Sequence, residues 1–259
     1  MNSHASLLPA GTPRSAFGKL LAAEARYQWR VPVGLIFGIG VPLLFVIIFG
    51  LIPAANTPDE SMGGLTVFGL FFPSLLTFAL ITLALVFLPE HLADYRQQGI
   101  LRRMGTTPVP PAWMLAAQVA INLALAVAAL VILVLAGTVG FGLGAPRHPG
   151  GFTLALALSI AAMFAIGLWI SAIARTVNAA QGVGQLLLWP MLFFAGMLFP
   201  RSFMPAVLRD IGYWTPSGAA VQALEDAMFG AFPSAQLLLV LAGWAVVFGF
   251  LAVRFFRWE

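Results

Sequence analysis

Residues 65–88 read LTVFGLFFPSLLTFALITLALVFL, and the next twenty, 89–108, read PEHLADYRQQGILRRMGTTP. The first stretch contains no Asp, Glu, Lys, Arg or His. It exceeds the roughly 20 apolar residues that a helix needs to cross a bilayer. The second is the most polar stretch of the chain. An uncharged run that breaks abruptly into charge is what a hydrocarbon–water boundary imposes. A charged side chain at the bilayer centre costs about 3 kcal/mol or more.

Five further stretches repeat the first pattern: Val31–Ile52, a span within Ala112–Leu143, Phe152–Ala174, Ala179–Phe199 and Ala235–Val253. None carries an ionisable side chain, so every charge falls in a connection. The whole composition agrees. Of 259 residues, 61% are hydrophobic and only 8% charged, against about 25% charged in soluble domains. So few charges cannot cover a water-facing surface of this size. Disorder, collagen and a disulfide-stapled secreted domain are excluded, and the absence of cysteine removes thiolate chemistry. The expectation is an all-α integral membrane protein with six transmembrane helices. Residues 1–30 would form a cytoplasmic leader, and 31–259 a single six-span domain. The leader lacks the apolar core of a cleavable signal peptide.

Lys and Arg placement sets the orientation. Ten fall on one side: Arg14, Lys19, Arg26, Arg30, Arg96, Arg102, Arg103, Arg175, Arg254 and Arg257. Only Arg147, Arg201 and Arg209 fall on the other. The positive-inside rule then puts both termini in the cytoplasm, and the bilayer is expected to be a bacterial cytoplasmic membrane. The basic net charge of +4 reads as this topology signal rather than as a nucleic-acid surface.

Three segments outside the spans are informative. In Ser15–Arg30, helical spacing places Lys19, Arg26 and Arg30 on one face and Phe17, Leu20 and Leu21 roughly opposite. That suits an amphipathic helix lying on the inner leaflet, although Glu24 and Gln28 interrupt its apolar face. In the loop after the second span, Glu90–Gln98 can form a helix that Gly99 ends or bends. Leu101, Arg102, Arg103 and Met104 then present apolar and basic groups together. Such a knob suits docking to a soluble partner; it also suits an ordinary positive-inside loop, and physics alone does not choose. The outer segment Pro200–Pro233 is too polar to span and too apolar for a plain loop. Phe203, Val207, Leu208 and Ile211 share one helical stripe, and Val221, Leu224 and Met228 another. Two short re-entrant helices separated by Tyr213–Pro216 are expected. Ser217 would cap the second, and Glu225 and Asp226 would face water or headgroups.

Much chemistry is absent from the sequence. It holds no GxxxxGK[ST] phosphate loop, no HExxH, and no intramembrane Ser–His pair. No catalytic or metal-binding residue is assigned, and no cofactor is expected to bind this chain. Ion-driven carriers place an ionisable group near the midplane, and these spans have none. Their polar groups are neutral amides: Gln118 and Asn122 at i, i+4, and Asn178, Gln181 and Gln185 at i, i+3, i+7. Such amides hold helices together or line a path. Gly34 and Gly38 form a GxxxG packing motif. A protein without its own energy source is either passive or driven from outside.

In order and content the chain resembles the membrane subunit of type-2 ABC transporters, in particular short permeases of the daunorubicin-resistance type. The resemblance rests on the amphipathic leader, on Glu90…Arg96-x-x-Gly99-x-Leu101-Arg102-Arg103…Thr107-Pro108, and on Phe199-Pro200…Met204-Pro205…Trp214-Thr215-Pro216. It implies an exporter of drugs, lipids or glycoconjugates, with links to multidrug or antibiotic resistance. Lys19, Arg26 and Arg30 would lie on the connecting helix. Glu90, Arg96, Gly99, Leu101, Arg102, Arg103 and Met104 would couple to a separate P-loop ATPase that uses ATP and Mg. Two ATPase chains and a second permease chain, identical or related, would complete the complex among membrane lipids. The alternative is a stand-alone channel or facilitator whose pore is lined by Gln118, Asn122, Gln181 and Gln185.

Overall fold

The computed structural model describes residues 36–60, 64–99 and 111–255, plus Gly18, Leu21, Ala22, Ala25, Arg26, Gln28 and Gly34. Side chains of Pro111, Ala112 and Ser202 are not described. Apart from a single antiparallel bridge between Asp59 and Leu65, the regular structure among these residues is helical. The elements are α1 (Ile36–Leu51), α2 (Val67–Gln97), α3 (Pro111–Leu135, running on into a π turn over Ala136–Gly140), α4 (Pro149–Ile173), α5 (Val177–Phe194), α6 (Ala206–Trp214), α7 (Pro216–Phe229) and α8 (Ala235–Phe255). Four of them, α2, α3, α4 and α8, are long and apolar enough to cross a membrane. The described part of α1 is shorter, and α5 has 18 residues.

Helix α2 is the core of the protein. Its most apolar window is 83% buried, against 17% for α8. It packs against α1, α3, α4, α5 and α7, while α8 lies outside α4. Trp169 of α4 meets Phe248 of α8 edge-on at 5.2 Å, and Trp244 stacks on Phe248 at 5.1 Å. Apolar side chains of α8 such as Leu239, Val246 and Val253 face outward, as a lipid-facing surface requires.

The connections sort into two ends. At one end, Arg96 of α2 meets the end of α4, and Gln97 meets the start of α5. At the other, the backbone N–H groups of Arg147 and His148 donate to Met228 and Ala227 of α7, and Ser74 of α2 donates to the carbonyl of Ala195.

Helix boundaries follow local chemistry. Thr66, Thr176 and Thr215 cap α2, α5 and α7, each accepting from the backbone N–H three residues on. The cap of α7 is thus Thr215, with Pro216 in the first turn, rather than Ser217. The Ser217 hydroxyl is buried without a hydrogen-bond partner among the described residues. Thr215 also donates to the Gly212 carbonyl at 2.7 Å, tying the end of α6 to the start of α7. Thr215→Ala is therefore expected to cost about 1–2 kcal/mol, read as a lower unfolding midpoint of the purified protein.

The third helical run, expected within Ala112–Leu143, stops at Gly140. Phe141 turns inward there to meet Phe68 edge-on at 6.1 Å, and Gly142 takes a φ of 72°. The fifth stops at Phe194 rather than Phe199, because Gly196 adopts a φ of 78° and turns the chain.

The outer segment forms two helices, α6 and α7. Helix α7 inserts among α2, α4 and α8 and buries Val221, Leu224 and Met228. Helix α6 does the reverse and leaves Val207, Ile211 and Trp214 exposed.

Candidate functional site

The polar end of α2 continues the span without a break. A helix of 31 residues is about 46 Å long, well beyond the roughly 30 Å of hydrocarbon. Its last ten residues, Leu88–Gln97, bury Leu92, Ala93 and Tyr95 and leave Glu90 half-buried. Arg96 Nη1 donates to the carbonyls of Ser171 and Ala174, which are among the orphan acceptors at the end of α4. A cation there also meets the negative end of the helix dipole. Partial burial pushes the guanidinium pKa below its ordinary value. Gln97 Oε1 accepts from the N–H of Val177, the first residue of α5, at 3.3 Å. Ala93 packs with Ala174 and Ala180. One helix end is thereby fastened to the junction of two others. Gly99, at φ 65°, then ends the helix in the left-handed conformation that glycine adopts without penalty. Leu101, Arg102, Arg103 and Met104 lie outside the described residues, as do Lys19 and Arg30. Arg26 is exposed and Gln28 buried.

Just before this end, α2 contains a π-helical stretch, Thr82–Phe87. The Thr82 hydroxyl donates to the Phe78 carbonyl at 2.9 Å, competing with the α-helical ladder. Glycines press on this stretch from three sides. Gly34 and Gly38, the GxxxG pair, face Phe87 and Leu83. Gly167 of α4 sits where a Cβ would lie 1.9 Å from the Ala84 carbonyl oxygen, and Gly184 of α5 where it would lie 2.4 Å from that of Leu85. In a bilayer, where lipid tails are as apolar as the helices, such close backbone approach supplies much of the association energy.

The intramembrane amides divide. Gln118 and Asn122 are buried inside the protomer. Asn122 Nδ2 donates to the Gln118 backbone carbonyl at 2.9 Å, and the Gln118 side chain has no partner among the described residues. Asn178 and Gln185 are exposed and Gln181 half-buried, on the outward face of α5 that also carries Gly182, Leu186 and Trp189.

At the opposite end lies a cavity of about 470 Å³ between the start of α2, the Gly196–Phe203 turn and α7. Arg201, Arg209, Gln222 and Glu225 line it. Arg201 donates through Nη1 to the Gly218 carbonyl at 3.0 Å, and its guanidinium lies 5.3 Å from the Tyr213 ring centroid. Burial pushes the Arg201 pKa down. It pushes that of Glu225 up, against the opposing pull of Arg201. Glu225, expected to face water or headgroups, is half-buried and lines this cavity. The signal is present in the spacing, since Glu225 stands four residues from Val221 and shares its inward face. Among the described residues no cluster of His, Asp and Glu could hold a metal ion.

The long apolar helices, the polar extension of α2 and the paired outer helices describe a membrane protein, and comparison with known sequences settles which kind. The family described as ABC-2 type transporter matches residues 15–229. The chain belongs to the ABC-2 type transporter family. The chain is also similar to a Bacillus subtilis (strain 168) protein named "Putative transport permease YvfS". The two are 24% identical over 245 residues, spanning 87% of this chain and 91% of that one. The family match takes in the described end of α2 and both outer helices. This ABC-2 chain is thus a multi-pass membrane transport subunit.

Proposed function

We propose that the chain is the membrane-spanning permease of an ATP-driven exporter. It would have six spans, both termini in the cytoplasm of a bacterium, and a separate P-loop ATPase docked on the loop after the second span. The observation that carries this reading is the fastening of the α2 end. Arg96 grips the last carbonyls of α4, and Gln97 grips the first turn of α5. A push delivered just beyond Gly99 is therefore shared by three helices rather than absorbed in a loop. Leu101, Arg102, Arg103 and Met104, which follow Gly99 in sequence, would receive that push, with Glu90 further back along the helix. Lys19, Arg26 and Arg30 would flank the ATPase from the leaflet surface. The chain itself contributes no catalytic group; ATP and Mg act in the partner.

The exposed amides of α5 support a second permease chain. An amide turned toward lipid is costly. Asn178, Gln181 and Gln185 beside Gly182 therefore suit a face covered by another copy or open to a water-filled path. Two permeases over two ATPases would put that path between the α5 faces. The proposed cargo class is hydrophobic or amphipathic: a drug, lipid or glycoconjugate.

Purification in mild detergent, with the mass of the complex measured by light scattering, tests the reading. The expected result is two permease chains with two ATPase chains. Replacing Leu101, Arg102 and Arg103 together by Ala should leave the permease inserted while ATP-driven export falls at least tenfold. Normal export by that variant overturns the coupling role. Transport by the isolated permease without ATP identifies a facilitator instead.

A further inference from the structure

The cavity between α2, the Gly196–Phe203 turn and α7 combines features that no single structural role explains. One side is apolar: Val67, Leu70, Phe71 and Val221. The other is charged, with Arg201, Arg209 and Glu225 beside Gln222. Arg201 is held in place before any ligand arrives. Its Nη1 is fixed by the Gly218 carbonyl, its plane by Tyr213, and its stem by Gly196, where a Cβ would lie 2.9 Å from Arg201 Cγ. Its Nη2 is buried and has no hydrogen-bond partner among the described residues. Gln222 is likewise oriented, its Nε2 donating to Asp226 Oδ1 at 2.8 Å.

The rim adds an independent observation. Phe203 lines the cavity and is 69% exposed, continuous with the outward apolar stripe of Val207, Ile211 and Trp214. Such a stripe on a short helix beside the bundle lies in acyl chains rather than in water. With α6 read as an interfacial helix, the mouth of the cavity would open at the boundary of hydrocarbon and headgroups. The volume suits a headgroup and the first methylenes of its chains.

We propose that this cavity binds a phospholipid whose headgroup is a singly charged phosphodiester bearing hydroxyls, with Arg201 and Arg209 on the phosphate and Gln222 and Glu225 on the hydroxyls. The donor set selects this class: the guanidiniums of Arg201 and Arg209 suit an anionic phosphate, and Gln222 and Glu225 suit hydroxyls, while Asp226, which accepts from Gln222, holds that amide from behind. Planar guanidinium donors match phosphate oxygens. The acyl chains leave across Phe203 and along α6. The proposal concerns a bound lipid at the Arg201 end of the bundle; it does not depend on ATP coupling or on the direction of transport, so either can fail without the other.

The test is lipid binding to the purified permease in maltoside micelles, without ATP, by native mass spectrometry and by thermal shift. The probe is dioctanoyl phosphatidylglycerol. One molecule per chain is expected, with a raised unfolding midpoint. Arg209→Gln, a change at an exposed position, should weaken binding at least tenfold while leaving the lipid-free midpoint unchanged. Arg201→Lys keeps the charge but loses the planar fork, and should also weaken binding. Arg254→Gln, at the far end of α8, should not. Equal binding of dioctanoylglycerol, which lacks the phosphate, overturns the proposal. So does equal binding of inorganic phosphate, which would make this a free-anion site, or unchanged affinity in both arginine variants.

Discussion

Gly167→Ala is expected to lower stability by about 3 kcal/mol and to yield little monodisperse protein from the membrane. A Cβ at this position lies 1.9 Å from the carbonyl oxygen of Ala84. The obstacle is backbone, so no rotamer change relieves it; α4 and α2 must separate. Gly184→Ala meets the Leu85 carbonyl at 2.4 Å and should act in the same direction. Gly243→Ala in α8 is the control. Nothing lies within 4 Å of a Cβ there, and alanine is the better helix former by about 1 kcal/mol. Unfolding midpoints of the three variants, measured in one detergent, check the ordering. A Gly167→Ala protein as stable as the parent would mean that α4 and α2 do not pack as described.

Arg96→Ala is expected to free the polar end of α2 from α4. The guanidinium serves two carbonyls, and charge-assisted bonds of this kind contribute about 1.5–3 kcal/mol. The loss is local, so its signature is faster amide hydrogen exchange in 92–99 and 171–177, with little change in the rest of α2. Arg96→Lys offers a point charge in place of a fork and should restore protection only in part. If the proposed coupling runs through this joint, export should fall in Arg96→Ala even though Leu101–Met104 are intact. Unchanged exchange in both stretches would show that the Gln97–Val177 bond and the packing around Ala93 hold the joint without Arg96.

Much of this fold is legible in the sequence because the bilayer imposes a coarse grammar. Uncharged runs of about 20 residues form helices, and the short amphipathic stripes of 200–233 form α6 and α7. Ends are less legible. Phe194, rather than Phe199, ends the fifth run, since an apolar residue that leaves a helix and one that continues it look alike in composition. The caps show the same limit: Thr215 and Ser217 are chemically similar, and only backbone geometry chooses between them. For the site, pattern picks out Arg96, but its partners lie 75 and 78 residues away, a separation that no local spacing encodes. The Arg201–Glu225 cavity escapes a sequence reading for a related reason. A carboxylate in an extramembrane segment reads as solvated unless its helical phase is checked against its buried neighbours.

The π-helical stretch in α2 has a consequence for how such proteins can diverge. It holds one residue more than the α-helical pitch allows, so everything beyond Phe87 is turned by about 100° from the phase set by Val67. The faces that bring Ala93 to Ala174 and Arg96 to Ser171 exist only in that rotated frame. Substitutions along the helix can be absorbed one at a time. A single-residue deletion between Thr82 and Phe87 can be absorbed too, because it removes the one extra residue and leaves a regular α-helix whose polar end keeps its side of the bundle. This six-residue window is thus where the helix tolerates a change of length, whereas an insertion or deletion elsewhere between Val67 and Arg96 has to be matched by a second one.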